Sequence, residues 1–188
     1  NSPIFSLNED INTGHKKPVF EIYNKKYWEK PENIGVANVA SQKLHDFFSK
    51  NLNVEEVFDL EKWAAYFAVI DLTTTFHGAL FKSVRFYYNP LNGLFEPIPF
   101  DGHKLRPNFN KYNINYDNRI LIDIINDSSK ADIQKFEWIR KFFYKENRLN
   151  KEFYKIYSTY IHKISSKKYI DSFLLKNSKK IDKINSHI

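Results

Sequence analysis

Residues 82–101 read KSVRFYYNPLNGLFEPIPFD. Val84, Phe86 and Tyr88 alternate with Arg85 and Tyr87, the period-2 pattern of a half-buried strand. The segment NPLNG, residues 89–93, supplies a turn in which Asn92-Gly93 can take positive φ. Pro97 and Pro99 lack amide donors, so the return strand is predicted to lie at a sheet edge or to break there. Asp101 then falls where a strand ends, a place where binding groups are held on a rigid scaffold. Two roles stay open for it: a residue that closes the turn, or a carboxylate delivered to a metal site.

The preceding segment, FDLEKWAAYFAVIDL at 58–72, is predicted to be a helix. Asp59 suits the N-cap, and Leu60, Trp63, Ala64, Phe67 and Ala68 form one apolar stripe. One further turn of that stripe lands on Asp71. A carboxylate so close to a buried face needs hydrogen-bond partners or a cation. It can satisfy backbone amides of the TTTFHG loop that follows, or it can serve a site directly. Upstream, residues 38–53 carry Leu44, Phe47 and Phe48 at helical spacing. Residues 1–34 are polar, hold three of the seven prolines and show little periodicity, so they are predicted to be an extended or loosely packed lead-in.

The rest reads as helical. RILIDIIND (119–127) leads into SSKADIQKFEWIRKFFYKEN (128–147), with a serine cap and Ile133, Phe136, Ile139 and Phe143 on one side. In NKEFYKIYSTYIHKI (150–164), Asn150 is the cap and Phe153, Ile156, Tyr157, Tyr160, Ile161 and Ile164 form the stripe. SSKKYIDSFLLK (165–176) is a further capped helix, and Ile181, Ile184 and Ile188 continue its spacing. The aromatic residues follow helix periodicity, which makes them core rather than a base-stacking platform. No internal repeat is visible.

Composition sets the outer bounds. A chain of 188 residues that is 42% hydrophobic and 17% aromatic can bury a core as one domain. With no cysteine, disulfides and thiolate metal sites are excluded, and the redox compartment stays undecided. No apolar stretch approaches the roughly 18 residues of a membrane span. The absence of methionine leads us to expect a piece of a longer protein. The net charge of +7 is uneven: residues 140–188 hold 13 Lys/Arg against 4 Asp/Glu. That asymmetry fits a face for nucleic acid, an anionic polymer or a membrane surface. Solvated lysines in a chain rich in Lys, Asn, Ile, Tyr and Phe are the stronger reading.

Taken in order, FDLEKWAAYFAVIDL, FHGALFKSVRFYYNPLNG and EPIPFD resemble the spore-coat protein H (CotH) family, whose members have an atypical protein-kinase fold. NKEFYKIYSTYIHKI and SKKYIDSFL resemble the family's helical end, so the likeness spans roughly residues 55–188. The resemblance implies an α+β, mainly α-helical fold. Residues 35–188 would be the C-terminal lobe, a β-hairpin would lie beside the site, and the N-terminal lobe would lie upstream. It also implies phosphoryl transfer from a nucleotide (ATP), with Mg²⁺ or Mn²⁺ held by hard oxygen ligands.

Carried over residue by residue, Asp101 matches the family's metal-binding aspartate. Ser83 stands where an asparagine assists the metal, and offers a neutral hydroxyl. The catalytic-aspartate region falls on Phe76, His77 and Gly78, where no carboxylate stands. His77 can act as a base near neutral pH, with Asp71 as the alternative, or it can be a structural hydrogen bonder. His103 replaces a second acid that many members carry. Lys104 and Arg106 can meet phosphate or be merely solvated.

Three functional readings follow from this. One is a divergent kinase-fold domain acting on a protein or envelope component, with an envelope or secreted location suggested by the family. The second is a non-catalytic module that keeps the fold, favoured by the missing acids. The third, nucleic-acid binding through the basic helices, is the weakest because no recognised motif accompanies the charge.

Overall fold

The hairpin forms where its residues predict it. In the computed structural model, which describes residues 2–9, 18–49, 51–102, 121–126 and 137–185, strands β3 (Arg85–Asn89) and β4 (Leu94–Ile98) pair antiparallel, Arg85 opposite Ile98. Gly93 takes φ +70° and donates its amide to the Asn89 carbonyl at 2.8 Å. The Asn89 and Asn92 side chains accept from the Leu91 and Leu94 amides, the local bonding that makes asparagine a turn residue. Val84, Phe86 and Tyr88 are buried, as the alternation requires. β4 is an edge strand, which accommodates Pro97 without losing a ladder bond to a further strand.

The lead-in departs from expectation. It contributes β1 (Ile4–Glu9), β2 (Pro18–Ile22) and a short helix α1 (Lys25–Trp28). β1 pairs with both β2 and β3, giving one antiparallel sheet in the order β2-β1-β3-β4. Phe5 is fully buried against Phe86 and Phe95, and Leu7 is buried in the same core, so a division at residue 34 or 35 does not separate two packing units. The pattern was hidden because β1 sends only two large apolar side chains inward.

Helix α2 (Ile34–Phe48) begins one turn before its predicted start and ends five residues earlier than its predicted end. It stops because Asn53 and Glu56 form a reciprocal capping box that starts a new turn, α3 (Val54–Val57). Helix α4 (Leu60–Thr73) is capped by Asp59, whose carboxylate accepts from the Lys62 amide at 3.1 Å. Its Trp63, Ala64, Phe67 and Ala68 have no exposure, and it lies along α7 (Lys151–Ser165).

Trp63 is the hub of an aromatic core that includes Phe58, Phe67, Phe86, Trp138 and Phe142. Its indole N–H reaches the Phe95 carbonyl at 2.9 Å, and that of Trp138 reaches the Ala79 carbonyl at 3.1 Å. Both buried donors are therefore satisfied.

Between α4 and α7 the chain forms α5 (Leu121–Asn126) and α6 (Glu137–Phe143). The predicted helix through Asn147 ends at Phe143, because Glu146 and Asn147 take φ +50° and +61°. They turn a two-stranded ribbon, β5 (Tyr144–Lys145) with β6 (Arg148–Leu149). Positive φ at both central residues is the hairpin turn whose twist matches its strands. Ile139 and Phe143 are buried as expected, joined by Trp138 and Phe142; Ile133 and Phe136 lie outside the described residues.

Asn150 caps α7, accepting from the Phe153 amide at 3.2 Å. The last helix, α8 (Lys167–Asn185), has no buried side chain among those described, and Tyr169, Ile170, Phe173 and Leu174 remain exposed. Among the described residues the architecture is thus α+β and mainly helical, with a four-stranded antiparallel sheet and a two-stranded ribbon. Among the described residues no helix is long and apolar enough to cross a membrane.

Candidate functional site

The site is built by two loops that meet. The first follows α4, where Thr74 takes a left-handed φ of 55° and closes the helix. Phe76, fully buried, anchors a 3₁₀ turn at Phe76–Ala79. The second loop leaves β4 at Phe100–Gly102. Gly78 lets them touch: a Cβ there would lie 2.9 Å from the Phe100 carbonyl oxygen and 3.1 Å from the Tyr66 hydroxyl. The Tyr66 hydroxyl donates to the Gly78 carbonyl at 2.8 Å, which holds the turn from the α4 side. Burial pushes the Tyr66 hydroxyl up, so it remains protonated and a donor across the physiological range.

Three side chains converge where the loops meet. The Asp101 Oδ2 lies 3.0 Å from His77 Nδ1 and accepts from the Ser83 hydroxyl at 3.0 Å. The remaining edge, Ser83 Oγ to His77 Nδ1, is 3.1 Å. Ser83 is buried at the base of this triangle, whereas the His77 and Asp101 side chains keep 23% and 36% exposure. Asp101 adopts φ +51°, a left-handed conformation that aspartate tolerates better than most residues.

Arg85 holds the neighbouring residue. Its guanidinium lies 4.8 Å from the Phe100 ring centroid, 5.3 Å from that of Tyr23, and donates to the Tyr23 hydroxyl and the Lys82 carbonyl.

The arrangement is not a nucleophilic relay. Such a relay places the hydroxyl and the carboxylate on opposite ring nitrogens, and here Ser83 and Asp101 both meet Nδ1. What the triangle offers instead is two oxygen donors and one nitrogen donor around one point. Among the described residues no group of three His, Cys, Asp or Glu side chains gathers in a metal-holding cluster. A metal at this place therefore needs the Ser83 hydroxyl as one of its three protein donors. The fit is acceptable, because a neutral hydroxyl is an established ligand for Mg²⁺ beside phosphates.

Asp71 is committed elsewhere. It is buried, its Oδ1 accepts from the Leu121 amide at 2.8 Å, and its Oδ2 accepts from the Tyr157 hydroxyl. The partners are thus an amide from α5 and a phenol from α7, not amides of the TTTFHG loop. In that loop the Thr74 and Thr75 amides donate to the backbone carbonyls of Asp71 and Ile70. Burial pushes the Asp71 carboxyl up to about 7, the nearby Asp123 charge pushes the same way, and the two hydrogen bonds oppose them. Asp71 therefore ties three helices together. His103, Lys104 and Arg106 lie outside the described residues.

One ionic centre was missed in the sequence. Glu96 on β4 is 2% exposed and receives Lys62 Nζ at 2.6 Å, Asn89 Nδ2 at 2.7 Å and the Tyr87 hydroxyl. Burial alone would raise this carboxyl, but the bonds from Asn89, Lys62 and Tyr87 prevail and hold it down at about 2. Its only sequence signal was register, since Glu96 stands directly opposite Tyr87. Compared with protein-family models, with curated proteins and with solved structures, the chain matches none.

Proposed function

We propose that this chain is a divergent kinase-fold domain similar to the CotH family, mainly its C-terminal lobe, that binds a nucleotide with Mg²⁺ or Mn²⁺ through Asp101 and Ser83. The observation that carries the reading is the convergence of His77, Ser83 and Asp101 within 3.1 Å of one another, from positions spread over 25 residues of sequence. When bound, the ion would neutralise charge on the phosphate oxygens, the main electrostatic task in phosphoryl transfer.

The chain's own residues supply the rest of the chemistry. Asp101 brings the negative charge to the site, and Ser83 fixes the orientation of its carboxylate. Gly78 lets the His77 turn reach both of them. The acceptor would be a protein or envelope component, in keeping with the family resemblance.

A second reading, a non-catalytic binding or structural module, is favoured by one specific finding. Asp71, the acid that precedes the missing catalytic position in sequence, is bonded into the core, and His77 is turned onto Asp101. Incubating the protein with γ-labelled ATP and Mg²⁺ or Mn²⁺ separates the two. Label entering the chain or an envelope fraction, and lost in Asp101→Ala, supports transfer. Nucleotide binding without label supports the module. The absence of both label and nucleotide binding overturns the metal-nucleotide proposal.

A further inference from the structure

The proposed function leaves one donor of the triangle without a ligand role. We infer that His77 Nδ1 is the third protein ligand of the metal site, and that it turns the site's preference from Mg²⁺ toward Mn²⁺ and the later first-row divalent ions. The inference rests on the metal-nucleotide reading and deepens it.

The three edges of the triangle measure 3.0, 3.0 and 3.1 Å. An octahedral ion with ligands at about 2.1 Å places neighbouring donors about 3.0 Å apart. The three atoms therefore have the spacing of one triangular face of an octahedron. Ser83 is buried while His77 and Asp101 are partly exposed, so solvent reaches the triangle from their side, where phosphate oxygens or water can complete the shell.

Without metal, the same distances make a hydrogen-bonded triangle in which the Ser83 proton lies on Asp101. Metal entry needs the ring tautomer that carries its proton on Nε2 and leaves Nδ1 bare, and a Ser83 hydroxyl rotated so that its proton leaves Asp101 and a lone pair meets the ion. The two loops are already held in register by the close contact at Gly78, so no backbone rearrangement is required.

The identity of the third donor sets the preference. Mg²⁺ takes oxygen ligands and dehydrates reluctantly. Imidazole suits the later first-row ions, and affinity at mixed nitrogen and oxygen sites rises from Mn²⁺ through Co²⁺. A face with one ring nitrogen therefore favours Co²⁺ over Mn²⁺ and Mn²⁺ over Mg²⁺.

The test uses the full chain and metal alone. Bound Mn²⁺ is counted by electron paramagnetic resonance while Mg²⁺ or Co²⁺ is added as competitor. The expected result is Mn²⁺ binding that Asp101→Asn removes, displacement by Co²⁺ at concentrations below that of Mn²⁺, and displacement by Mg²⁺ only at more than roughly tenfold excess. His77→Asn places an oxygen donor near the Nδ1 position. It should keep metal binding while bringing the Mg²⁺ and Co²⁺ requirements together, an outcome that a misfolded variant would not give.

If Mg²⁺ competes as well as Co²⁺ in the parent protein, or if His77→Asn leaves the ratio unchanged, the inference is overturned while the metal-nucleotide reading stands. If no Mn²⁺ binds, or if Asp101→Asn does not affect it, both are overturned.

Discussion

At the scale of single residues, Gly78 is the position on which the site depends. Adding one methyl there meets a backbone oxygen at 2.9 Å, which a flexible side chain could have avoided but a carbonyl held in a loop cannot. Gly78→Ala is expected to cost about 1–3 kcal/mol in urea unfolding, the range for overpacking. It should also weaken metal binding more than its stability loss accounts for, by parting His77 from Asp101. Asp71 gives a pH signature of its own. Its folded carboxyl stands at about 7 and an unfolded one at about 4. Between these values the folded state binds the extra proton, so this residue's contribution to stability is full below about pH 4 and is lost as pH rises toward 7. Urea midpoints for Asp71→Asn across that window should lack the decline seen in the parent. Glu96 has the opposite sign: held down at about 2, it contributes stability above the ordinary glutamate range and loses it as pH falls toward 2. Acid unfolding of Glu96→Gln should accordingly be shallower below about pH 4. These residues also show what a sequence can and cannot reveal. Asp71 is legible as a buried acid because it continues the Leu60–Ala68 stripe, but its partners lie 50 and 86 residues away and no periodicity points to them.

At the scale of elements, legibility follows the number of inward-facing side chains. The α4 stripe and the β3–β4 hairpin each repeat their pattern enough times to be read, and each has a start or turn signal, Asp59 or Asn92-Gly93. β1 shows only Phe5 and Leu7, so it passed for a lead-in. The ribbon after α6 was hidden for a different reason. Glu146 is an ordinary helix former, and the left-handed φ of +50° that it adopts is dictated by the pairing around it. A left-handed conformation costs a residue with a Cβ about 1–2 kcal/mol. Glu146→Gly is therefore expected to stabilise the fold, by an amount reduced through the added chain entropy that glycine brings to the unfolded state. A rise in melting temperature would check it, and a fall would show that Glu146 makes contacts outweighing its backbone strain.

At the scale of the whole molecule, the sheet joins the first strand to the site. Lys82 donates its amide to the Leu7 carbonyl at 2.6 Å, and Ser83 follows it, so β1 helps place a site residue 76 positions later in the chain. Removing residues 1–22 would strip Phe5 and Leu7 from the core and expose the inner edge of β3. Phe5→Ala alone is expected to cost about 3–5 kcal/mol, and the deletion should abolish cooperative unfolding. A deletion that still unfolded cooperatively would restore the division at residue 34 that the sequence suggested. The mainly helical α+β architecture and the edge strand at Pro97 were readable beforehand; the sheet's full width was not, because strand pairing over such distances leaves no local mark.

The proposed function stands or falls on Asp101 being a ligand-bearing carboxylate and more than the end of a turn. Calorimetric titration of the full-length protein with ATP and Mg²⁺ or Mn²⁺, with Asp101→Ala alongside and both checked for equal unfolding midpoints, tests it most directly. Metal-dependent binding is expected in the parent protein and none in the variant. A folded parent that takes up no nucleotide with either ion, or a variant that binds as well as the parent, would contradict it.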